Sequence, residues 1–277
     1  MQNQPPKESL TTQEENGLHE SEMSFAGAPC GKSAFDIPLE AFTLCKAAGV
    51  QLVQTDDGLT LTDGTLSLCP NFEHALARTA PGKLSKELLI KAAKLKILTQ
   101  MGSLGAAPMQ GANYLEAPRV IDATAGLGED AFLMAATGAR VDLYESNPVI
   151  AALLGDALRR AAADERTAEM AARMTLHAAD SVAALAQLDF RPAVIYLDPM
   201  FPGRTKTAAV KKKFQLLHRI EQPADAAAQT ALLEAALAAQ PRKVIVKRPA
   251  KGPYLAERRP DYSLSGKAVR YDVFAFA

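Results

Sequence analysis

The sequence has few of the residues from which disulfide frameworks and metal sites are built. Its three cysteines are odd in number and show no CxxC spacing, and its four histidines are scattered along the chain. We therefore expect no disulfide framework and no metal site. Cysteine usage of this kind favours a reducing cytoplasm as the compartment.

The sequence also lacks a long apolar run and a net charge. Although 48% of the residues are hydrophobic, no stretch approaches the roughly 20 apolar residues that cross a bilayer, so no membrane partner is expected. Residues 1–31 are polar and lack the basic and apolar regions of a secretory signal. Because 31 basic residues balance 31 acidic ones, any affinity for nucleic acid must come from local clusters.

The distribution of polar and apolar residues along the chain predicts three regions. Residues 1–33 are polar and without periodicity, which indicates a flexible tail. Residues 34–118 are predicted to form a small N-terminal α+β domain followed by a linker, and residues 119–277 the main domain. The 277 residues are enough for such a division.

The N-terminal region contains clear turn signals. A helix is predicted over Leu39–Ala48, closed by Gly49, followed by a β-meander whose runs are separated by Asp-Gly turns, a strong hairpin signal. The stretch from Lys83 to about Leu98 predicts a basic amphipathic helix, whose lysines are most simply a solvated face. Residues 101–118 contain several Gly and Pro and indicate a linker.

From Arg119 onward, strand and helix signals alternate, which predicts a mostly parallel, Rossmann-like α/β sheet covered on both faces. The last segment, Tyr262–Ala277, alternates across Gly266 and predicts a closing antiparallel hairpin. The predicted strands are Val120–Asp122, Arg140–Glu145, Met174–Asp180, Ala193–Asp198 and Lys243–Lys247.

A glycine turn follows the first of these strands. Gly126 and Gly128, with Ala131, fit the fingerprint of dinucleotide-binding folds, so an NAD-dependent dehydrogenase is one candidate. However, Asp122, Glu129 and Asp130 surround the turn and would repel a pyrophosphate. Carboxylates suit a ligand with an amine, a sulfonium and ribose hydroxyls, which describes S-adenosylmethionine. The plainer alternative is that the two acids after Gly128 only complement the helix dipole.

Four consecutive predicted strands end in an acid: Asp122, Glu145, Asp180 and Asp198. Ligands of open α/β sheets bind beyond the carboxyl ends of the strands, so these side chains are expected near one site. Glu145 is placed to accept hydrogen bonds from ribose hydroxyls, and Asp180 with Ser181 to contact an adenine amine. For any single acid, a helix cap or turn is the simpler explanation.

The motif Asp198-Pro199-Met200-Phe201-Pro202 carries the most specific chemistry. Asp-Pro followed by an aromatic residue resembles the signature of class I methyltransferases that modify exocyclic amines of bases. Asp198 and a backbone carbonyl near Pro199 would accept the amine N–H bonds, and Phe201 would stack on the base. The alternative is a proline-rich turn with Phe201 in the core.

Two basic segments follow this motif along the chain. Clustered Lys and Arg in a near-neutral protein suggest contacts with an RNA phosphate backbone, although surface solvation alone can explain a lysine run. The predicted RNA-binding residues are Arg204, Lys206, Lys211, Lys212, Lys213, Lys247 and Arg248.

Taken together, these motifs resemble the ribosomal RNA small subunit methyltransferase J family. The resemblance covers about residues 119–277 and is most specific at Asp198–Pro202. It implies an S-adenosylmethionine-dependent enzyme that forms N2-methylguanosine in small-subunit rRNA, acting on the rRNA or the assembled 30S subunit. The cofactor positions it implies are Glu129, Asp130, Glu145, Ser146, Asp180, Ser181 and Asp198.

The sequence therefore predicts a cytoplasmic class I methyltransferase. The catalytic residues are predicted to be Asp198, Pro199 and Phe201, and Asp122, Gly126 and Gly128 complete the predicted cofactor site. A dehydrogenase and a non-catalytic RNA-binding protein are the two alternatives, the first resting on the glycine fingerprint and the second on the basic segments alone.

Overall fold

Short runs joined by Asp-Gly turns form a small antiparallel sheet near the N-terminus. It comprises β1 (Gln51–Thr55), β2 (Gly58–Thr62) and β3 (Ser67–Leu68), preceded by α1 (Leu39–Ala48). Gly49 adopts the left-handed conformation and caps α1, as predicted. The structure, a computed structural model, describes residue 1 and residues 37–97, 117–200, 212–221 and 224–277, with only the backbone at 212–214.

Seven strands form the main sheet, in the order β6-β5-β4-β7-β8-β10-β9. The first five are parallel, and β10 pairs antiparallel with both β8 and β9. The strands are β4 (Arg119–Asp122), β5 (Arg140–Tyr144), β6 (Met174–His177), β7 (Val194–Leu197), β8 (Lys243–Pro249), β9 (Tyr262–Ser265) and β10 (Val269–Ala275). This confirms the predicted class I methyltransferase fold with its C-terminal hairpin.

Helices cover both faces of this sheet. They comprise α2 (Glu73–Thr79), α3 (Leu88–Ala93), α4 (Glu129–Ala135), α5 (Pro148–Ala163), α6 (Ala168–Ala171), α7 (Ser181–Leu185), α8 (Lys212–Ile220) and α9 (Ala226–Ala238). Asn147 caps α5, accepting hydrogen bonds from the N–H groups of Val149 and Ile150, with Pro148 in the first turn.

The central strands are buried on both faces, which explains their nearly continuous apolar sequence. Along β4, Val120 packs into the layer that contains α4, whereas Ile121 packs into the layer that contains α9. The small N-terminal sheet instead packs on α5 and α8, where Leu61, Val149 and Leu216 belong to one buried cluster. The predicted division into domains at residue 118 stays a prediction.

One predicted helix is wrong. The segment from Lys83 forms a short 3-10 turn (Leu84–Lys86) and then α3, separated by Glu87, whose backbone is extended. Four of the six residues of α3 are buried, so the helix is not amphipathic, and it ends at Lys94 in the left-handed conformation. Burial thus overrides the periodicity on which the prediction rested. The predicted tail (1–33) and linker (101–118) lie almost wholly outside the described residues.

No helix among the described residues is long and apolar enough to cross a bilayer. The same residues contain no group of three or more His, Cys, Asp and Glu side chains arranged to hold a metal ion.

Gly128 should be intolerant of a side chain for two reasons. Its φ is +76°, and a Cβ would lie 2.8 Å from Cδ1 of the fully buried Leu154. Gly64, with φ +87° and open space around it, isolates the backbone strain alone. We expect Gly64→Ala to lower the free energy of unfolding by about 1–2 kcal/mol, and Gly128→Ala to lower it by roughly a further 1–3 kcal/mol from overpacking. Equal losses in denaturant titrations would show that Leu154 moves aside freely.

Candidate functional site

A cleft of about 760 Å³ opens at the carboxyl ends of β4, β5, β7 and β8. It lies where the strand order reverses around β4, the usual ligand site of such sheets. The structure brings together along this cleft all ten residues predicted to contact the cofactor: Asp122, Gly126, Gly128, Glu129, Asp130, Glu145, Ser146, Asp180, Ser181 and Asp198.

The glycine turn forms one wall of the cleft. Gly126 and Gly128 both have positive φ, +54° and +76°, which side chains rarely adopt. The Gly128 N–H donates to the carbonyl of Ala125 at 2.8 Å and so closes the turn before α4. The turn therefore places backbone close to the cleft at the start of the helix.

Glu145 holds two loops together at the end of β5. Its carboxylate accepts hydrogen bonds from the N–H of Gly126 at 2.9 Å and from the N–H of Asn147 at 2.8 Å, one to each oxygen. The residue is only 7% exposed. Burial raises the pKa of Glu145, although the backbone donors oppose the rise. The side chain is thus fixed in place, with its remaining lone pairs available to a ligand.

Asp122 is the most buried acid of the cleft, at 2% exposure. Burial raises its pKa to about 8, and the nearby carboxylates of Asp130 and Asp198 add to the rise. At neutral pH this side chain is therefore mostly protonated, and one of its oxygens accepts the N–H of Thr124 at 3.2 Å. The prediction of a charged carboxylate at this position does not match these surroundings.

Lys247 joins two acids of the cleft. Its Nζ lies 2.6 Å from Oδ2 of Asp130 and 2.8 Å from Oδ2 of Asp198. Burial would lower the pKa of Lys247, but attraction to Asp198 and Asp130 outweighs it, and the pKa is raised. Asp130 also accepts the hydroxyl of Tyr196 at 2.7 Å. The sequence predicted an RNA phosphate as the partner of Lys247, whereas the structure pairs it with carboxylates.

Asp198 lies at the rim of this network. Its side chain is 38% exposed, and its backbone N–H donates to Oγ1 of Thr124 at 2.6 Å. Burial raises the pKa of Asp198, and the ammonium of Lys247 opposes that rise. The carboxylate is therefore oriented on one side by a cation and reaches the cleft on the other. Pro199, which follows it, also lines the cleft.

Asp180 caps α7, as the simpler interpretation predicted. Its carboxylate accepts the N–H of Val182 at 2.7 Å, and the side chain is exposed at the edge of the cleft. Ser181 follows it as a buried residue of the helix. Capping does not exclude a ligand contact, since both residues line the cleft.

Several predicted residues lie outside this description. Phe201, Arg204, Lys206 and Lys211 are not among the described residues, and Lys212 and Lys213 are described only as backbone of α8. Arg248 is 2% exposed and its Nε donates to the carbonyl of Pro253 at 3.0 Å. A buried guanidinium of this kind does not present a surface to a phosphate.

The sequence did not indicate some residues that line the cleft. Glu221 follows α8, and burial, with repulsion from Glu145 and Asp198, raises its pKa to about 7. Arg78 and Tyr271 also line the cleft. No motif surrounds these residues, and each reaches the cleft only through tertiary packing.

Comparisons with known proteins agree with this geometry. The family model of SAM-dependent methyltransferases matches residues 42–276. Two proteins named ribosomal RNA small subunit methyltransferase J are similar over part of their length. The protein of Neisseria meningitidis is 44% identical over 165 residues, which are 58% of this chain and 65% of the relative. The protein of Pseudomonas aeruginosa is 48% identical over 158 residues, which are 57% of this chain and 60% of the relative. The chain thus spans less than two thirds of these curated relatives.

A solved structure extends the likeness to most of the chain. The crystal structure of a SAM-dependent methyltransferase from Neisseria gonorrhoeae superposes with a TM-score of 0.61 at 29% identity, covering 86% of this chain and 92% of its own. The resemblance inferred from the sequence motifs is confirmed by these similarities.

Removing the buried acid at position 122 should change how stability depends on pH. Because the folded pKa of Asp122 is raised to about 8, the native state keeps a proton that the unfolded chain releases near pH 4. The wild type should lose stability relative to Asp122→Asn as pH rises from about 4 to 8, by at most about 1.4 kcal/mol per pH unit.

Denaturant titrations between pH 5 and 8 measure this difference. Asp189→Asn, on an exposed aspartate, is the matched control and should track the wild type. Parallel curves for Asp122→Asn and wild type would contradict the raised pKa.

Proposed function

This chain belongs to the family of S-adenosylmethionine-dependent methyltransferases, and on that premise we propose that it methylates the exocyclic N2 amine of a guanosine in small-subunit ribosomal RNA. The curated relatives are named as small-subunit rRNA methyltransferases. The observation that carries the choice of an amine is the carboxylate of Asp198, held at the rim of the cleft by Lys247 and followed by Pro199.

The residues of the cleft fit the cofactor of this family. Acids surround the glycine turn, and no pyrophosphate-binding cation lies among the residues of the turn itself, Asp122–Asp130. A cationic ligand with ribose hydroxyls therefore suits the cleft better than a dinucleotide. Glu145 would accept hydrogen bonds from the ribose, while Asp180 and Ser181 would face the base of the cofactor. When bound, S-adenosylmethionine supplies a methyl group activated by its sulfonium.

Asp198 would prepare the target amine. The lone pair of an aromatic amine is delocalised into the ring, which makes the nitrogen a poor nucleophile. A carboxylate that accepts one N–H bond localises the lone pair and favours the positive charge that develops on nitrogen. Since Lys247 binds Oδ2, we assign Oδ1 to the amine. A carbonyl near Pro199 would accept the second N–H, and Phe201 would stack on the base.

Lys247 would keep Asp198 ionised, so that its carboxylate can accept the amine N–H bond. A carboxylate at the rim of a buried acidic cleft tends to take up a proton, which would remove its acceptor capacity. The ammonium at 2.8 Å favours the ionised form, and Asp130 fixes the ammonium from its other side at 2.6 Å. Tyr196 in turn fixes Asp130. The role proposed for Lys247 is therefore to orient and ionise Asp198 rather than to bind RNA.

The proposed partner is small-subunit rRNA, free or in the assembled 30S subunit, and the proposed compartment is the cytoplasm. The direct experiment is mass mapping of methylated nucleotides in small-subunit rRNA from cells with and without this protein. We expect one N2-methylguanosine to disappear with the protein and to return on adding it with S-adenosylmethionine. An unchanged methylation map would contradict the proposed function.

Asp198→Asn keeps the shape of the side chain but removes its charge. Loss of a transition-state electrostatic contact of this kind should slow single-turnover methyl transfer by about 10²–10³-fold. RNA affinity should be retained, and some loss of cofactor affinity is expected because the residue lines the same cleft. Asp189→Asn serves as the control and should be as fast as wild type. Near-normal turnover of Asp198→Asn would exclude the proposed role in amine methylation.

The lysine run before and within the start of α8 should contribute to RNA binding. Replacing Lys211, Lys212 and Lys213 by Ala removes three charges, and for single-stranded RNA each phosphate contact contributes about 0.7 to the salt slope. RNA binding should weaken, and its dependence on salt should flatten by up to about 2 in log–log slope. A matched triple replacement of exposed lysines, Lys46, Lys91 and Lys96, should leave the slope near that of wild type. Equal slopes for both variants would assign the run to surface solvation.

A further inference from the structure

A second cavity, of about 510 Å³, lies beside the cleft and shares part of its wall. Arg78, Val269 and Tyr271 line both spaces. Tyr271 pairs with Lys247 across β10 and β8, so it stands next to the cation that holds Asp198. The second cavity therefore adjoins the part of the cleft that holds Lys247 and Asp198.

The charge of this second cavity is opposite to that of the cleft. Its basic groups belong to Arg78, Lys83 and Lys86, with His74 beside them. Its acid, Glu87, binds Arg78 with both oxygens, at 3.0 and 2.8 Å, and so neutralises that guanidinium. Lys83 and Lys86 are exposed, and no carboxylate in the described ranges forms an ion pair with either one. The cavity consequently carries a surplus of positive charge.

The local fold holds these two lysines at the rim. Lys83 precedes the 3-10 turn Leu84–Lys86 and Lys86 is its last residue, while Leu84 is anchored in the core at 6% exposure. The pair of Arg78 with Glu87 ties this turn to α2. The break at Glu87 also separates Lys83 and Lys86 from Lys91, which lies on α3 and does not line the cavity.

We infer that this basic cavity binds the phosphate backbone of the substrate RNA next to the nucleotide whose base enters the cleft. The inference rests on the proposed function, since it assigns a place to the same substrate. An acidic cleft attracts a cationic cofactor but repels the phosphates that accompany a target base. A cationic rim immediately beside it offsets that repulsion, and such contacts position a strand without reading its sequence. Arg78, which lines both spaces, marks the boundary between the two charges.

The test compares Lys83→Ala/Lys86→Ala with the matched double variant Lys91→Ala/Lys96→Ala, which also removes two exposed lysines from this segment. The probe is a fragment of small-subunit rRNA that the wild type methylates, and its equilibrium binding is measured over a range of salt concentrations. Because Lys83→Ala/Lys86→Ala leaves two phosphates without a cation, we expect weaker binding and a salt slope reduced by about 1.4. The control should retain the wild-type affinity and slope. Binding of S-adenosylmethionine by all three proteins verifies that the fold is kept.

Each outcome decides the inference. If the wild type methylates the fragment and Lys83→Ala/Lys86→Ala binds it with the wild-type slope, the inference is wrong while the proposed function stands. If both double variants lose affinity equally, the effect is one of general charge, and the inference is also overturned. If the wild type neither binds nor methylates rRNA, the proposed function fails and this assignment fails with it. The charge reversal Lys83→Glu/Lys86→Glu should weaken binding further than alanine does.

Discussion

The ion bridge centred on Lys247 is the interaction on which the rest of the site depends. It connects three separate parts of the chain, since Lys247 comes from β8, Asp130 from α4 and Asp198 from the segment after β7. Two partly buried carboxylates near one another would repel and take up protons without the cation. Removing one partner of such a network is costly because it leaves the others buried without compensation. The bridge thus links three walls of the cleft and places a cation beside the carboxylate at its rim.

Around this bridge, the cleft contains acids that burial pushes toward the neutral form. The pKa values of Asp122, Glu145 and Glu221 are all raised, and in each case desolvation is the largest cause. A bound cation would favour the ionised forms of these groups. By linkage, cofactor binding and proton release are then two sides of one equilibrium. A positively charged ligand would therefore displace protons from these acids as it binds.

Much of this arrangement could be predicted because it depends on local signals. Strand periodicity, the glycine turn and the acids after successive strands indicated the sheet and ten residues of the cleft wall, since parallel strands bring their carboxyl ends together. The roles of Lys247 and Arg248 could not be predicted in this way. The two residues are neighbours on β8, so their side chains point to opposite faces of the sheet. The partners of Lys247 are 49 or more residues away in the sequence, whereas Arg248 donates to a nearby turn. The prediction of one amphipathic helix from Lys83 was wrong for a similar reason. Burial of Leu89 and Ile90 in the core outweighed the helical periodicity of the sequence.

The contacts of Glu145 have a consequence for how the sequence of this protein can vary. The carboxylate is held by the N–H groups of Gly126 and Asn147, not by their side chains. Every amino acid except proline offers such a donor. As far as this contact is concerned, substitutions at position 147 are tolerated so long as they avoid proline, whereas position 126 is restricted by its φ of +54°. An acid supported in this way can persist through mutational drift while the residues around it change.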